Sequence, residues 1–535
     1  APQMHGVMPP RGQSVLSRLP IRKPASMRRA AHRLLPCIAA ALLTCFTSPT
    51  SAADRPNIVV ILVDDLGYGD ISCSGATAVA TPQIDRIATE GCRFTDGHSA
   101  AATCTPSRYA LLTGEYAWRR KGTGIAPGDA GAIILPGRTT VASLLKSAGY
   151  RSAVVGKWHL GLGGEKPDWN GRITPGPLEI GFDECFLMPA TGDRVPCVYV
   201  ENDRVVGLDP DDPISVSFSG PIGDEPTGAR NPELLKMAWD HGHNATIING
   251  ISRIGFMSGG RSARWVDEDM ADVFTSKAIS FIDRHVAAHR SQPFFLFFNP
   301  HDVHVPRVPH QRFAGSTQLG PRGDVIRQLD WSVGEILQCL DQHQLTNNTL
   351  VIFTSDNGAV LNDGYRDQAA ELNGDHRPSG PWRGGKYSAF EGGTRVPFLV
   401  RWPGHVEPGT TSEALVCQID FLATFAELTG ESLPPDAGPD SQKQLRTLTG
   451  TDRHGRDHLV QQAASLSLRQ GRWKFIEPSR GPVLNRQVNI ETGNHPEPQL
   501  YDLQSDPGET QNLATTESSR LAEMQRLLNQ LRTSR

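Results

Sequence analysis

The stretch NIVVILVDD, residues 57–65, ends an apolar, β-branched run on two adjacent aspartates. Neighbouring carboxylates repel, and partial burial raises that cost unless a cation or a donor neutralises them. A second apolar run, TLVIFTSDNG, ends on Asp356 and Asn357. Asp64, Asp65, Asp356 and Asn357 together offer four hard oxygen ligands, which suit Ca2+ or Mg2+ and do not suit Zn2+. Basic side chains recur in similar places. Lys157 and His159, in GKWHLG, are two residues apart and face one side of an extended loop. His304 follows the FFLFF run, and Lys386 follows Gly384 and Gly385. Each alone reads as surface charge or a satisfied histidine. Together with Arg108 they suit a tetrahedral oxyanion and the charge on its transferring oxygens. Cys104 opens CTPSRYALLTG, where a helix begins, and amides at a helix N-terminus favour an anion. By residue type Cys104 is open between buried thiol, metal ligand, disulfide half and nucleophile. The set as a whole points to an oxyanion-transfer enzyme with one hard cation and a nucleophile at position 104.

Positioning such a set requires strands whose ends converge. Residues 58–63 read as a strand buried on both faces. TPQIDRIATEG follows as a helix, with Thr81 as its cap, Pro82 at its first position and Gly91 as its stop. A helix from Val141 stops at Gly149 and leads into a strand reaching Val155. DMADVFTSKAISFIDRHV then PFFLFFN, and VIRQLDWSVGEILQCLDQHQL then TLVIFTS, repeat helix and strand. This alternation predicts an α/β fold: a large mixed, mostly parallel central sheet flanked by helices. Polar residues cluster after the strands' C-terminal ends, where such sheets place their ligands. Residues 432–456 read as loop. SLSLRQGRWKFIEPS reads as two strands around a Gln470-Gly471 turn, and LYDLQSDPGETQNLA adds a strand before a terminal helix. The expected organisation is an extension and signal peptide over 1–53, a catalytic domain over 54–456, and a small antiparallel C-terminal subdomain with a terminal helix over 457–535.

The signal reading rests on MRRAAHRLLPCIAAALLTCFTSPTSAA, a basic start, a short apolar run and small residues before Asp54. It predicts a secreted protein with no membrane span once the signal is removed. Without the seven Arg and Lys of residues 1–53, 46 basic residues face 57 acidic ones, a formal charge of −11. No broad basic patch follows, which excludes nucleic acid as an expected partner. Seven cysteines lie beyond residue 53. None forms a C-x-x-C pair, and Cys185 and Cys197 are near enough in sequence to bridge.

The chain resembles the type I sulfatases of the alkaline-phosphatase-like superfamily from about residue 56 to about 520. The resemblance is carried by NIVVILVDDLGYGD, CTPSRYALLTG, GKWHLG, GFDE, PFFLFFNPHDVHVP, TSDNG, GGKYSAFEGGTRVPFLVRWPG and LYDLQSDPGETQNLA. It implies that Cys104 is oxidised by a formylglycine-generating or sulfatase-maturing enzyme to Cα-formylglycine. It implies a hydrated aldehyde whose one hydroxyl, beside Ca2+ on Asp64, Asp65, Cys104, Asp356 and Asn357, attacks sulfur. Arg108 would hold the hydrate and the carboxylates, and Lys157, His159 and Lys386 the sulfate oxygens. His304, with Lys386, would protonate the leaving alcohol, and His159 would take the proton of the second hydroxyl.

The style of HDVHVPRVPH and PATGDRVPCVYVEN resembles bacterial carbohydrate sulfatases. This implies a sulfated saccharide substrate, leaning to 6-O-sulfated galactose or N-acetylgalactosamine. Thr191, Asp193, Arg194, His301, Asp302, Arg307, His376 and Arg377 are expected near the mouth as polar forks for sugar hydroxyls. The segment 161–265 is expected to be an insert that deepens the pocket. Other readings are an arylsulfatase, a phosphodiesterase or phosphonate monoester hydrolase of the same superfamily, and a non-catalytic carbohydrate-binding protein. The presence of all of Lys157, His159, His304 and Lys386 favours sulfate over phosphate esters, and the intact cysteine tag and complete metal quartet argue against the non-catalytic reading.

Overall fold

Four long runs of buried β-branched and aromatic residues pair in parallel at the centre of the molecule. A computed structural model describes residues 55–534, so the signal-peptide reading lies outside the described residues. Asn57–Val63 pairs in parallel with Phe294–Asn299 on one side and Thr349–Ser355 on the other. Arg151–Lys157 pairs in parallel with Phe294–Asn299 and with Glu184–Met188. The sheet has ten strands. In spatial order they are Thr410–Ser412, Cys92–Phe94, Phe398–Arg401, Thr349–Ser355, Asn57–Val63, Phe294–Asn299, Arg151–Lys157, Glu184–Met188, Val200–Glu201 and Arg204–Val205. Phe398–Arg401 is antiparallel to Thr349–Ser355, and the last two strands close one edge in antiparallel ribbons. The sheet is therefore mixed and mostly parallel.

Helices cover it because its central strands are apolar on both faces. Helix α5 (Gly320–Gln342) packs against both α1 (Pro82–Thr89) and α4 (Met270–His289), and α2 (Cys104–Thr113), α3 (Val141–Ser147) and α6 (Phe421–Thr429) pack against one another. Ile58–Val63 are fully buried, as are Leu350–Phe353 and Phe295–Phe298 to within 1%. Each such side chain contributes roughly 1.5–3 kcal/mol of burial energy. Pro82 opens α1 as expected, but Thr81 does not cap it. Asp330 of α5 accepts from the Gln83 and Ile84 amides, both at 2.9 Å, while the Thr81 hydroxyl is spent on Ser72 and Asp85. A carboxylate from a packed helix satisfies two orphan amides where the local hydroxyl satisfies none.

The segment 161–265 is not simply an insert. Glu184–Met188 is a full member of the central sheet, and Val200–Glu201 and Arg204–Val205 extend it. Ribbons Ser215–Ser217 with Phe256–Ser258, and Ile247–Ile248 with Ile251–Ser252, fold beside it. The alternation there is too short to announce strands, and burial comes from tertiary partners. All seven cysteines among the described residues are free thiols. The Cys185–Cys197 bridge is not formed; the Cys185 thiol meets the Asn202 carbonyl oxygen at 3.2 Å. No helix among the described residues is long and apolar enough to cross a membrane.

Past a single turn α7 (Leu445–Leu448), a four-stranded antiparallel sheet runs His458–Gln462, Leu466–Gln470, Trp473–Ile476, Gln499–Asp502, with α8 (Ser518–Thr533) packed on it. A buried ion cluster joins it to the main body. Glu391, fully buried, meets Lys474 at 3.0 Å and Arg395 at 3.1 Å and also pairs with Arg469. Backbone contacts join the two as well: the Ala102 amide donates to the Gln462 carbonyl oxygen at 2.7 Å.

Candidate active site

Parallel pairing in register brings four strand ends to one edge of the sheet. Val63 lies opposite Ser355, and Asn299 opposite Gly156. The next residues are Asp64-Asp65, Asp356-Asn357, Lys157 through His159, and the His301–His304 loop, so a shared direction assembles what the sequence scatters. Asp65 itself has φ +60°, a left-handed conformation that aspartate tolerates better than most side chains. Gly358 is required next to it: a Cβ there would lie 1.8 Å from the Gly392 carbonyl oxygen.

Cys104 is the first residue of α2 and is 2% exposed. Its sulfur lies 3.7 Å from Asp64 Oδ1, and burial pushes the thiol well above its ordinary range. Asp64 Oδ2 receives Lys157 Nζ at 2.5 Å. Asp65 Oδ2 receives Lys386 Nζ at 2.8 Å, and Asp65 Oδ1 receives Asn357 Nδ2 at 2.7 Å. Arg108 grips Asp356 Oδ2 through Nε and Nη2, both at 2.8 Å, and donates from Nη1 to the Lys157 carbonyl oxygen. The three carboxylates are fully buried. Burial, against the pull of Lys157, lifts Asp64 to about 8, whereas Lys386 and Lys157 overcome burial and hold Asp65 below its ordinary value.

A hard cation fits this set. Asn357 Oδ1 is buried with no hydrogen-bond partner, although its amide nitrogen is fully used. An acceptor left bare among three buried carboxylates has an electropositive ligand as its natural partner. The Asp64, Asp65, Cys104 and His304 ligand atoms lie within 4.8 Å of one another. The carboxylate and amide oxygens match Ca2+ or Mg2+.

The two histidines are oriented by the backbone. His159 Nε2 lies 3.0 Å from the Ala126 carbonyl oxygen, which assigns the proton to Nε2 and leaves Nδ1, buried and without a partner, as a free base. His304 Nδ1 lies 2.7 Å from the Val305 carbonyl oxygen, so its Nε2 turns toward Asp65, at 3.7 Å. Burial and the neighbouring lysines hold both rings well below the ordinary histidine value. Lys386, despite burial, is held well above the ordinary lysine value by Asp363 and Asp65 and stays charged.

The sugar-facing set divides. Thr191, Asp193, Arg194 and His301 gather beside His159. Arg194 Nη1 lies 2.8 Å from Thr191 Oγ1 and 3.5 Å from His159 Nε2. Asp193 pairs with His243 at 2.9 Å, and His301 Nε2 accepts from the Gly192 amide at 3.1 Å. Asp302, Arg307 and His376 are otherwise engaged. Asp302 turns to Gln328 of α5 at 3.0 Å. Arg307 spends its donors on Asp367 and on the carbonyls of Val303, Val360 and Leu361. His376 pairs with Asp70, which Arg322 also holds. Buried charges demand partners, and these found theirs inside the protein. Arg377 is exposed. Three neighbours were not singled out from sequence: Asp363, 2.8 Å from Lys386 Nζ; Tyr387, whose hydroxyl lies 3.4 Å from Asp363; and His243. Tyr387 sits inside the GGKYSAF motif and was open to notice; Asp363 and His243 lie in loops with no pattern.

Comparison with known proteins agrees with this geometry. Residues 56–431 match the sulfatase family, and residues 385–534 match the C-terminal region described as N-sulphoglucosamine sulphohydrolase, C-terminal. The chain is 54% identical over 484 residues to an N-acetylgalactosamine-6-O-sulfatase of Bacteroides thetaiotaomicron, covering 90% of this chain and 94% of that one. Human arylsulfatase A is 31% identical over 511 residues, covering 92% and 89%. A solved Bacteroides thetaiotaomicron structure, described under the metabolism of multiple glycosaminoglycans, superposes with a TM-score of 0.88 at 54% identity, covering 90% of this chain and all of that one. Agreement of this extent, across both the sheet and the C-terminal region, places the chain in the sulfatase family and makes it a sulfuric ester hydrolase.

Proposed function

We propose that this sulfatase removes the 6-O-sulfate from N-acetylgalactosamine or galactose units of a sulfated carbohydrate, in a secreted or periplasmic bacterial setting. The 54% identity to an N-acetylgalactosamine-6-O-sulfatase over nearly the whole chain carries the substrate reading. The nucleophile is Cys104 after oxidation to formylglycine by a maturation enzyme, whose hydrate offers one hydroxyl to attack sulfur and a second to lose a proton. Calcium, held by Asp64, Asp65, Asp356 and Asn357, would supply positive charge for the attacking oxygen and the sulfate.

The chain's own residues do the rest. Arg108 fixes Asp356 and so the shape of the cation site. Lys157 and Lys386 keep their charges in a buried site, where an anion interacts more strongly than in water. Burial and the two lysines together hold His304 neutral, and a sulfate ester entering against those lysines offsets their share. His304 Nε2, its ring locked by Val305, is then able to carry a proton to the leaving alcohol. His159 Nδ1 is the bare base that accepts the proton of the second hydroxyl as the bond from carbon to the sulfated oxygen breaks, which releases sulfate and restores the aldehyde. Thr191, Asp193, Arg194 and His301 form one polar wall for the sugar, with Arg194 at its rim.

The test is sulfate release over defined sulfated sugars by protein produced with its maturation enzyme. Faster turnover of 6-O-sulfated N-acetylgalactosamine or galactose than of 2-O- or 4-O-sulfated sugars, aryl sulfates or phosphodiesters is expected. Preference for any of the latter would overturn the substrate reading.

A further inference from the structure

Away from the sheet edge, the C-terminal half of α4 and the end of α5 bring together a second set of metal-ligating side chains. We propose that Asp283, Cys339 and His343 form a metal site for a divalent ion of borderline softness, represented by Zn2+. Cys339, in the last turn of α5, and His343, the residue that caps its end, are four apart and so lie on one face. Asp283 comes from α4, which packs against it. The three ligand atoms lie within 4.8 Å of one another. Asp283 Oδ1 is 2.6 Å from His343 Nε2 and 3.9 Å from Cys339 Sγ.

These spacings fit the ion. Zinc bonds of about 2.0–2.3 Å in a tetrahedron place neighbouring ligands about 3.3–3.8 Å apart. Side-chain adjustments of about 1 Å reach that arrangement with both helices where they are. The donor set of sulfur, imidazole and one carboxylate differs in kind from the all-oxygen set at the sheet edge, and it selects a softer ion. Cys339 is 4% exposed, while the Asp283 and His343 side chains are 54% and 28% exposed. The site therefore has a buried sulfur floor and a solvent side open for a water as fourth ligand. The backbone beneath it is pinned: the His343 carbonyl oxygen accepts from Arg290 Nη2 at 2.9 Å. Burial and Asp283 raise the Cys339 thiol to about 12, so uptake of the ion releases a proton that can be counted.

The experiment is a zinc titration of the full chain in saturating Ca2+, in a Cys104→Ala background that removes the thiol of the catalytic cluster. One Zn2+ per chain is expected to survive gel filtration, and Co2+ in its place should give a thiolate-to-cobalt absorption band. Cys339→Ser should abolish that band, and both Cys339→Ser and His343→Gln should weaken zinc binding at least tenfold, with unchanged circular dichroism. In the Cys104 parent the same two changes should leave sulfate-ester hydrolysis within twofold. No zinc retained by the parent, or equal zinc content, affinity and cobalt spectrum in parent and variants, would leave Asp283 and His343 as a plain surface ion pair and overturn the proposal.

Discussion

Asn357 Oδ1 and His159 Nδ1 are two buried acceptors that the protein leaves without a donor. Unmet polar atoms are costly, so each points to something the protein is built to receive: a cation in the first case, a proton in the second. Asp64→Ala should lower calcium affinity by at least about 100-fold, since loss of a mere supporting contact already costs 10–100-fold; metal content after dialysis checks it. Cys104→Ala should leave the melting temperature within a few degrees and cut sulfate release by at least about a thousandfold, because the side chain is small and its one hydrogen bond is a long one to Asp64. Equal release by both proteins would remove Cys104 from the chemistry. At this scale the sequence was most readable where chemistry and motif coincide, as at Asp64, Lys157 and Lys386. It was least readable at Arg307 and His376, whose types suit a sugar but whose burial drew them into Asp367 and Asp70.

Among the elements, the turn at Tyr68–Asp70 shows how a carboxylate ties a loop to a helix. Asp70 accepts from the Gly67 amide at 2.7 Å, from both terminal nitrogens of Arg322 in α5, and from His376. Burial opposes its charge, but Arg322 and His376 bring it down to about 2 from an ordinary 3.8. A depressed carboxyl stabilises the fold above its unfolded value and loses that contribution as pH falls through its folded value, here between about pH 4 and 2. The shift corresponds to about 2 kcal/mol. Asp70→Asn should cost about that much at pH 7 and flatten the loss of stability on acidification across the same window, as urea titrations at stepped pH would record. The strands themselves were plain from their apolar runs. Glu184–Met188 was not, because ECFLM is short and gains its strand character from pairing with Arg151–Lys157. The cap of α1 was misplaced for a related reason: Asp330 lies 247 residues from the amide it satisfies, and no local pattern encodes it.

For the molecule as a whole, Glu391 is the keystone between the main sheet and the C-terminal sheet. Arg395 beside it and Arg469 and Lys474 from the far side share its two oxygens, all buried. Glu391→Gln removes the carboxylate that the three cations share, leaving Arg395 and Arg469 on Asp96 and Lys474 on Glu509, and should cost about 3–5 kcal/mol, the usual result of breaking a buried ion cluster from one side. Denaturant unfolding measures it; a change under 1 kcal/mol would mean the cluster relaxes to solvent. The contact between Ala102 and Gln462 has a consequence for the order of events during synthesis. Residues 101 and 102, just ahead of Cys104, are clasped by a strand that emerges some 350 residues later. Under the proposed maturation of Cys104, an enzyme that must grasp the cysteine would have its freest access before His458–Gln462 pairs with this segment.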